Sequence, residues 1–259
     1  MSCCERMLVP DQFSRVQLLL GEDAMRVLAQ SRVAVFGVGG VGGYALEALA
    51  RNGVGALDLV DDDVVSPTNI NRQIVATHSV IGKNKVDIMA ARIADINPDC
   101  RITTHQCFYL PDTSDQFDFT EFDYVIDAVD TVTAKLHLAQ TAHDTGTPFI
   151  SCMGAANKLD PTAFEVADIY DTDMCPLAKI IRKECRKRGI AGFKVVYSRE
   201  RALHPAEEKV PGAEGDQGYF DPHDHRHPAR RSTPGSVSFV PPVAGFICAG
   251  EVIKDLLGR

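Results

Sequence analysis

Val33-Ala34-Val35-Phe36-Gly37-Val38-Gly39-Gly40-Val41-Gly42-Gly43 decides how this chain is read: an apolar run enters a glycine loop, and a helical pattern, roughly Tyr44 to Asn52, leaves it. Gly37, Gly39 and Gly42 take the three glycine places of G-x-G-x-x-G. The first allows a tight turn, the second a close approach of backbone to phosphate, the third close packing of helix on strand. The helix would aim its free N–H groups and positive dipole end at an anion. Alone the pattern is weak, because a glycine-rich turn beside a solvated acid reads the same way. Its context strengthens it. Ala56-Leu57-Asp58-Leu59-Val60 forms a second strand, and Asp61 ends it about 20 residues beyond the loop, where a ribose-binding acid is expected.

Outward from this unit the elements alternate. Phe13 to Leu20 is a lead-in carrying Arg15, and Glu22 to Ala29 a short helix before the first strand. A polar loop, Asp61 to Gln73, is followed by a helix from about Lys83 to Ile96, whose Val86, Met89, Ala90 and Ile93 keep helical spacing until Asn97-Pro98 stops it. Arg101 to Phe108 reads as a strand, Tyr124 to Asp130 as a buried strand ending on an acid, Thr133 to Asp144 as a helix and Pro148 to Ser151 as a strand. This alternation predicts an α/β, Rossmann-like, doubly wound and mainly parallel sheet. From Thr162 the rhythm changes: strand Ala163 to Tyr170, basic helix Pro176 to Arg188 and strand Phe193 to Tyr197 predict an extension by antiparallel strands. Ala202 to Pro234 reads as a mobile loop, and the last helix places Val243, Phe246, Ile247, Gly250 and Ile253 on one face. The expected organisation is a lead-in over 1–30, a nucleotide-binding Rossmann-like core over 31–160 and an extension over 161–259.

Composition narrows the class. The 259 residues are 45% hydrophobic and 24% charged, ordinary globular material with no membrane span. Met1 to Arg6 lacks the basic and apolar regions of a secretory signal, so a cytoplasmic protein is expected. None of the eight cysteines forms a C-x-x-C pair, which argues for free thiols over a structural zinc or disulfide framework. A net charge of -8 does not suggest a nucleic-acid binder. Charge is local, however: Lys179, Arg182, Lys183, Arg186, Lys187 and Arg188 crowd one helix, with Arg199, Arg201, Arg226, Arg230 and Arg231 beyond it. Such a run reads first as a solvated helix face, with an RNA contact as the alternative. His204, His223, His225 and His227 match no usual metal spacing.

The loop after Asp61 separates a dinucleotide from ATP. Asn69, Arg72 and Gln73 offer amide donors and a planar cationic fork, and Lys85 adds a point charge; this set suits a triphosphate, whereas hydride transfer needs none of it. Asp130, at the tip of its strand, stands at the edge where open α/β sheets bind ligands, and a carboxylate there suits Mg2+ bridging phosphates. Asp127 reads as structural.

Taken together, Gly37-Val38-Gly39-Gly40-Val41-Gly42, Asp61-Asp62-Asp63, Asn69-Ile70-Asn71-Arg72-Gln73, Lys85 and Asp127-Ala128-Val129-Asp130 resemble the motif series of the ubiquitin-activating-enzyme-like adenylyltransferase superfamily, from about Phe13 to the end. Within it the chain is most similar to the tRNA threonylcarbamoyladenosine dehydratase family, through Ile96-Asn97-Pro98, Asp130 with Lys135, Gly154-Ala155 with Asp160-Pro161, Pro176-Leu177-Ala178 and Val237 to Ile253. The resemblance implies ATP-dependent ring closure on a modified adenosine beside a tRNA anticodon. It also implies a homodimer in which Arg15 reaches the neighbour's triphosphate. In that frame Gly37, Gly39, Gly40, Gly42, Asp61, Asp63, Asn69 and Gln73 place the nucleotide. Arg72, Lys85 and Arg15 stabilise charge, and Asp130 holds Mg2+. Some relatives carry a cysteine where this chain reads Pro234-Gly235-Ser236-Val237-Ser238-Phe239, which tells against a thiol intermediate or sulfur-relay partner there, and Cys175 reads as a packed thiol. Three alternatives stay open: activation of a ubiquitin-like sulfur carrier, an NAD-dependent dehydrogenase, and an idle RNA-binding scaffold.

Overall fold

The computed structural model describes residues 10–204 and 234–259. Cys3, Cys4, His223, His225, His227, Arg226, Arg230, Arg231 and nearly all of the loop expected over Ala202 to Pro234 lie outside the described residues. Helices α1 (Ser14–Leu20) and α2 (Glu22–Gln30) lead into β1 (Arg32–Phe36). There follow α3 (Gly42–Arg51), β2 (Ala56–Val60), α4 (Lys85–Ile96), β3 (Arg101–His105), β4 (Tyr124–Asp127), α5 (Val132–Thr145) and β5 (Phe149–Cys152). The chain continues through β6 (Phe164–Asp168), α6 (Pro176–Arg188), β7 (Lys194–Ser198) and α7 (Pro241–Leu256). The seven strands form one sheet in the order β3-β2-β1-β4-β5-β7-β6. All neighbours are parallel except the antiparallel pair of β6 with β7. The expected mainly parallel, doubly wound sheet is therefore present, and β7 continues its parallel part.

Strand alternation divides the core in two. Val33 and Val35 of β1 join Leu57, Leu59, Ile126 and Ile150 in one cluster, with α3, α4 and α7. Ala34 and Phe36 of the same strand join Val125, Phe149 and Val195 in the other, with α5 and α6. Successive side chains of a strand point to opposite faces, so a sheet covered on both sides needs near-continuous apolar runs such as these. Cys175 is buried in the second cluster, and six cysteines among the described residues are free thiols. No helix among the described residues is long and apolar enough to cross a membrane.

Three expectations need correction. β4 stops at Asp127 rather than Asp130, because the Asp127 carboxylate accepts a hydrogen bond from the Val129 N–H and turns the chain out of the sheet. β3 ends at His105, short of Phe108. Helix α7 buries Ala244, Gly245, Cys248, Ala249 and Val252, while Phe246 of the expected face is exposed. Small residues win that face because α3 lies close against it: a Cβ on Gly245 would overlap the Val41 carbonyl oxygen.

Two buried carboxylates couple this fold to pH. Glu47 accepts from Arg92 Nε at 2.6 Å and Arg51 Nε at 2.7 Å, and Asp58 accepts from Arg32 Nε at 2.8 Å and His105 Nε2 at 3.0 Å. Burial pushes both pKa values up, but these partners outweigh it and leave Glu47 below its ordinary 4.5 and Asp58 below its ordinary 3.8. A depressed folded value means the unfolded chain binds protons first as pH falls. The stability these groups lend is complete above the unfolded carboxyl range and is lost below it. We expect the urea midpoint to fall as pH drops below about 4.5 and Glu47→Gln to make that fall shallower. Equal slopes in both proteins would contradict the assignment.

Candidate nucleotide-binding and active site

β1 is flanked by β2 on one side and β4 on the other, so the strand order reverses direction there. Ligands of open α/β sheets bind in the crevice outside the carboxyl ends at such a switch point. The glycine loop leaves β1 at that place. Gly37 has φ +94, and a Cβ on it would press on the Ala128 carbonyl oxygen, just past β4. A Cβ on Gly42 would overlap the Gly37 carbonyl, which ties the start of α3 to the strand. Gly39 differs: the nearest heavy atom to its Cβ position is Gln73 Nε2 at 3.9 Å, so the space over this peptide is open.

Other predicted residues gather on this loop. Asp61 Oδ2 accepts from the Val38 N–H at 2.6 Å and Oδ1 from the Asp63 N–H at 2.9 Å, which ties the end of β2 to the loop. Burial raises the Asp61 pKa, with the Lys85 ammonium opposing it. Lys85 is buried and donates to Asp63 Oδ2 at 2.6 Å, with Asp61 Oδ1 at 3.8 Å. Arg72 Cγ lies 3.5 Å from the Cβ position of Gly40, and Pro241 at the start of α7 lies 3.2 Å from it. Arg72 Nη1 donates to Thr68 O at 2.9 Å and Asn71 Oδ1 at 3.0 Å. Asn69 is buried, and its Oδ1 accepts from the Ser66 N–H at 3.0 Å, so it shapes the loop that carries Arg72.

Gln73 is also buried, and its Oε1 has no hydrogen-bond partner among the described residues. A buried amide oxygen without a donor is costly, and the nitrogen end of the same amide lies beside Gly39, where it can donate to a ligand. Asp130 is exposed, three residues beyond the end of β4, and among the described residues it accepts only a long bond of 3.4 Å from Thr131 Oγ1. Its charge is felt at Asp62, to which sequence reasoning gave no role. Burial, then the charge of Asp63 and that of Asp130, raise the Asp62 pKa. Ligand oxygens of Asp61, Asp62 and Asp63 lie within 4.8 Å of one another, and carboxylates that repel each other in this way fit a divalent cation, which would relieve the repulsion.

Arg15 is not brought to this group within one chain. Phe13, at the start of α1, packs 3.5 Å from the Cβ position of Gly53, just past the end of α3, and Gln12 and Phe13 line a cleft with Arg51, Asp95 and Ile96. That is the opposite edge of the sheet.

Also missed was the ion pair beneath the site. Lys135 Nζ donates to Asp127 Oδ1 and Oδ2 at 3.1 Å and to Cys152 O at 2.7 Å, and Ser151 Oγ donates to Asp127 Oδ2 at 2.5 Å. Burial raises the Asp127 pKa, while Lys135 and Ser151 draw it down.

A doubly wound sheet with a glycine loop, an acid closing β2 and cations at the switch point defines a Rossmann-like nucleotide-binding protein. The chain belongs to the ThiF family, whose model matches residues 13–259. It is 46% identical over 247 residues to the tRNA threonylcarbamoyladenosine dehydratase of Bacillus subtilis, covering 95% of this chain and 94% of that protein. It is 38% identical over 202 residues to the enzyme of that name from Escherichia coli, covering 75% of each. Among solved structures, E. coli tRNA N6-threonylcarbamoyladenosine dehydratase (TcdA) in complex with AMP superposes with a TM-score of 0.82 at 32% identity, covering 95% of this chain and 94% of that one. The same protein in complex with ATP gives 0.81.

Proposed function

We propose that this protein catalyses the ATP-dependent dehydration of threonylcarbamoyladenosine in tRNA, through activation of its carboxylate as an adenylate. The observation that carries this reading is the convergence of the glycine loop, Asp61, Arg72, Gln73 and Asp130 on one switch point, in a chain matched along its length by dehydratases of that name.

The chemistry suits the residues. A free carboxylate is a poor electrophile. Attack by one of its oxygens on the α-phosphorus of ATP expels pyrophosphate and leaves a mixed anhydride. A nitrogen of the same substituent then attacks the carbonyl carbon, closes a five-membered ring and expels AMP, so that the oxygen lost from the carboxylate leaves on AMP. The second step is intramolecular, and orientation alone supplies an effective molarity on the order of 10⁵ M or more. The protein has chiefly to place the phosphates and hold charge. The loop from Gly37 to Gly42 lets backbone approach the phosphates, and Asp61, fixed by two N–H groups, stands where a ribose is expected. Arg72, beside Gly40, offers a cationic fork to the developing negative charge. Lys85, set between Asp61 and Asp63, holds the geometry of this wall and adds positive potential. Asp130, with Asp62, would hold Mg2+, which when bound shields the phosphate charge.

The proposed enzyme is a cytoplasmic homodimer. Helix α1 has no buried residue, and its Leu18 and Leu19 are 87% and 81% exposed, which supports pairing of this face and delivery of Arg15 to a neighbouring site. Mass spectrometry of nucleosides from modified tRNA, before and after incubation with ATP and Mg2+, tests the activity: loss of one water from threonylcarbamoyladenosine supports it, and an unchanged nucleoside refutes it.

The glycines offer a separate expectation. Gly39→Ala should fold normally, since its methyl group meets open space, yet weaken ATP binding by about tenfold or more, about 1.4 kcal/mol. Gly42→Ala should instead lower the melting temperature, because the Gly37 carbonyl must move. Calorimetry with ATP beside a thermal melt checks both, and equal ATP affinity in Gly39→Ala and wild type would contradict the placement of phosphates.

A further inference from the structure

We infer that the outer face of α6 is the docking surface for the backbone of the tRNA stem, leading the modified nucleotide to the switch point; this rests on the proposed dehydratase function. The helix carries Lys179, Arg182, Lys183, Arg186, Lys187 and Arg188 against a single acid, Glu184, in a chain of net charge -8. The apolar side of α6, Ala178, Ile181 and Cys185, is spent on the core. Its cations do not all point to solvent. Arg182 Nη1 donates to Thr172 O at 2.6 Å, Arg186 lies 5.2 Å over the Tyr170 ring, and Lys187 pairs with Glu184 at 2.6 Å. Lys179, Lys183 and Arg188 are exposed. Lys179 and Lys183, one turn apart, stand about 6 Å from each other along the axis, with Arg186 continuing the same stripe.

The orientation of the helix gives this stripe a direction. Tyr197 and Arg199, at the carboxyl end of β7, reach Asp173 just before α6, at 3.4 Å and 3.1 Å. The other end of α6 turns through Gly189 into the start of β7. Its first turn therefore lies on the ligand-binding edge of the sheet, and its last turn on the opposite edge. It packs against α5, which starts at Val132, two residues past Asp130. The cations thus run away from the rim of the site, alongside the path a nucleic-acid stem would take with its loop at Asp130. Met174 and Ile180, both exposed, add apolar surface at the rim end, where an unstacked base needs contact. Charge complementarity to phosphate selects the occupant.

The test compares wild type with Lys179→Gln/Lys183→Gln/Arg188→Gln and with a control of equal charge change placed elsewhere, Arg26→Gln/Arg101→Gln/Lys254→Gln. Binding of threonylcarbamoylated tRNA is measured from low to moderate salt. Loss of three phosphate contacts should reduce the slope of log K against log salt by about two to three, and the control should leave it near wild type. In turnover, the α6 variant should show a higher KM for tRNA, with ATP affinity by calorimetry as in wild type. A wild-type slope in the α6 variant, or the same reduction in both variants, overturns the inference. So does a variant that keeps tRNA affinity but loses an acidic ubiquitin-like carrier protein. Wild-type protein that neither binds nor dehydrates modified tRNA defeats the proposed function itself, and that result is read independently of any variant.

Discussion

Asp130→Ala and Arg72→Ala are each expected to lower the rate of tRNA nucleoside dehydration by at least about 10²-fold while the fold persists. Removal of one preorganised charge or donor aimed at a developing charge costs on the order of 10²–10³ in turnover. Asp130 is exposed and among the described residues makes no more than a 3.4 Å contact with Thr131, so its removal should change stability by less than about 0.5 kcal/mol. Its value to the protein then lies in what it holds, and Mg2+ dependence is the sharper readout: the variant should need more Mg2+ for any residual turnover. Arg72 also anchors its own loop through Thr68 and Asn71, so Arg72→Ala should cost about 1 kcal/mol in stability besides. Arg72→Lys separates the two roles, since a lysine keeps the charge but not the planar fork. Near wild-type turnover in Asp130→Ala or Arg72→Ala would remove that residue from the reacting centre.

Lys135→Met should lower the free energy of unfolding by about 3–5 kcal/mol, because it leaves the fully buried Asp127 carboxylate without its counter-charge. For a domain whose whole stability is about 5–15 kcal/mol, that is a large share. A buried ion pair is nonetheless weak evidence of net stabilisation, since desolvating both partners offsets their attraction. The double variant Asp127→Asn/Lys135→Met should therefore recover at least half of the loss, with the amide oxygen left to accept the Val129 N–H and the amide nitrogen donating to the Ser151 hydroxyl oxygen. Urea unfolding of the three proteins measures this. A double variant no more stable than Lys135→Met would show that the carboxylate, not the pair, is what the core needs. Because Asp127 also shapes the turn to Asp130, the double variant tests whether that turn survives: its turnover should stay well above that of Asp130→Ala.

The parts of this fold legible in sequence are those governed by local rules. Gly37 needs a positive φ, and Gly42 sits where any side chain overlaps backbone, so their spacing signals the loop without a structure. Parallel strands covered on both faces need unbroken apolar runs, which made β1, β2 and β4 readable. What escaped depended on contacts distant in sequence. The buried face of α7 is made of small residues because α3 lies against it, and a pattern of large apolar side chains points to the wrong side. The reading of Asp130 as a strand tip missed the side-chain bond by which Asp127 ends β4 early. Asp62 became visible only when the fold set its carboxylate beside those of Asp61 and Asp63 and within reach of the Asp130 charge. Arg182 looked free for RNA until Thr172 proved to hold it.

The central claim is that this pocket grips a triphosphate so that a carboxylate of the tRNA substituent can attack its α-phosphorus. Labelling that carboxylate with oxygen-18 and collecting the nucleotide product of a single turnover tests it most directly. The account predicts one heavy oxygen in AMP, with pyrophosphate unlabelled. Label in inorganic phosphate with ADP as the product, or a cyclised nucleoside formed with no label in any nucleotide, would contradict it.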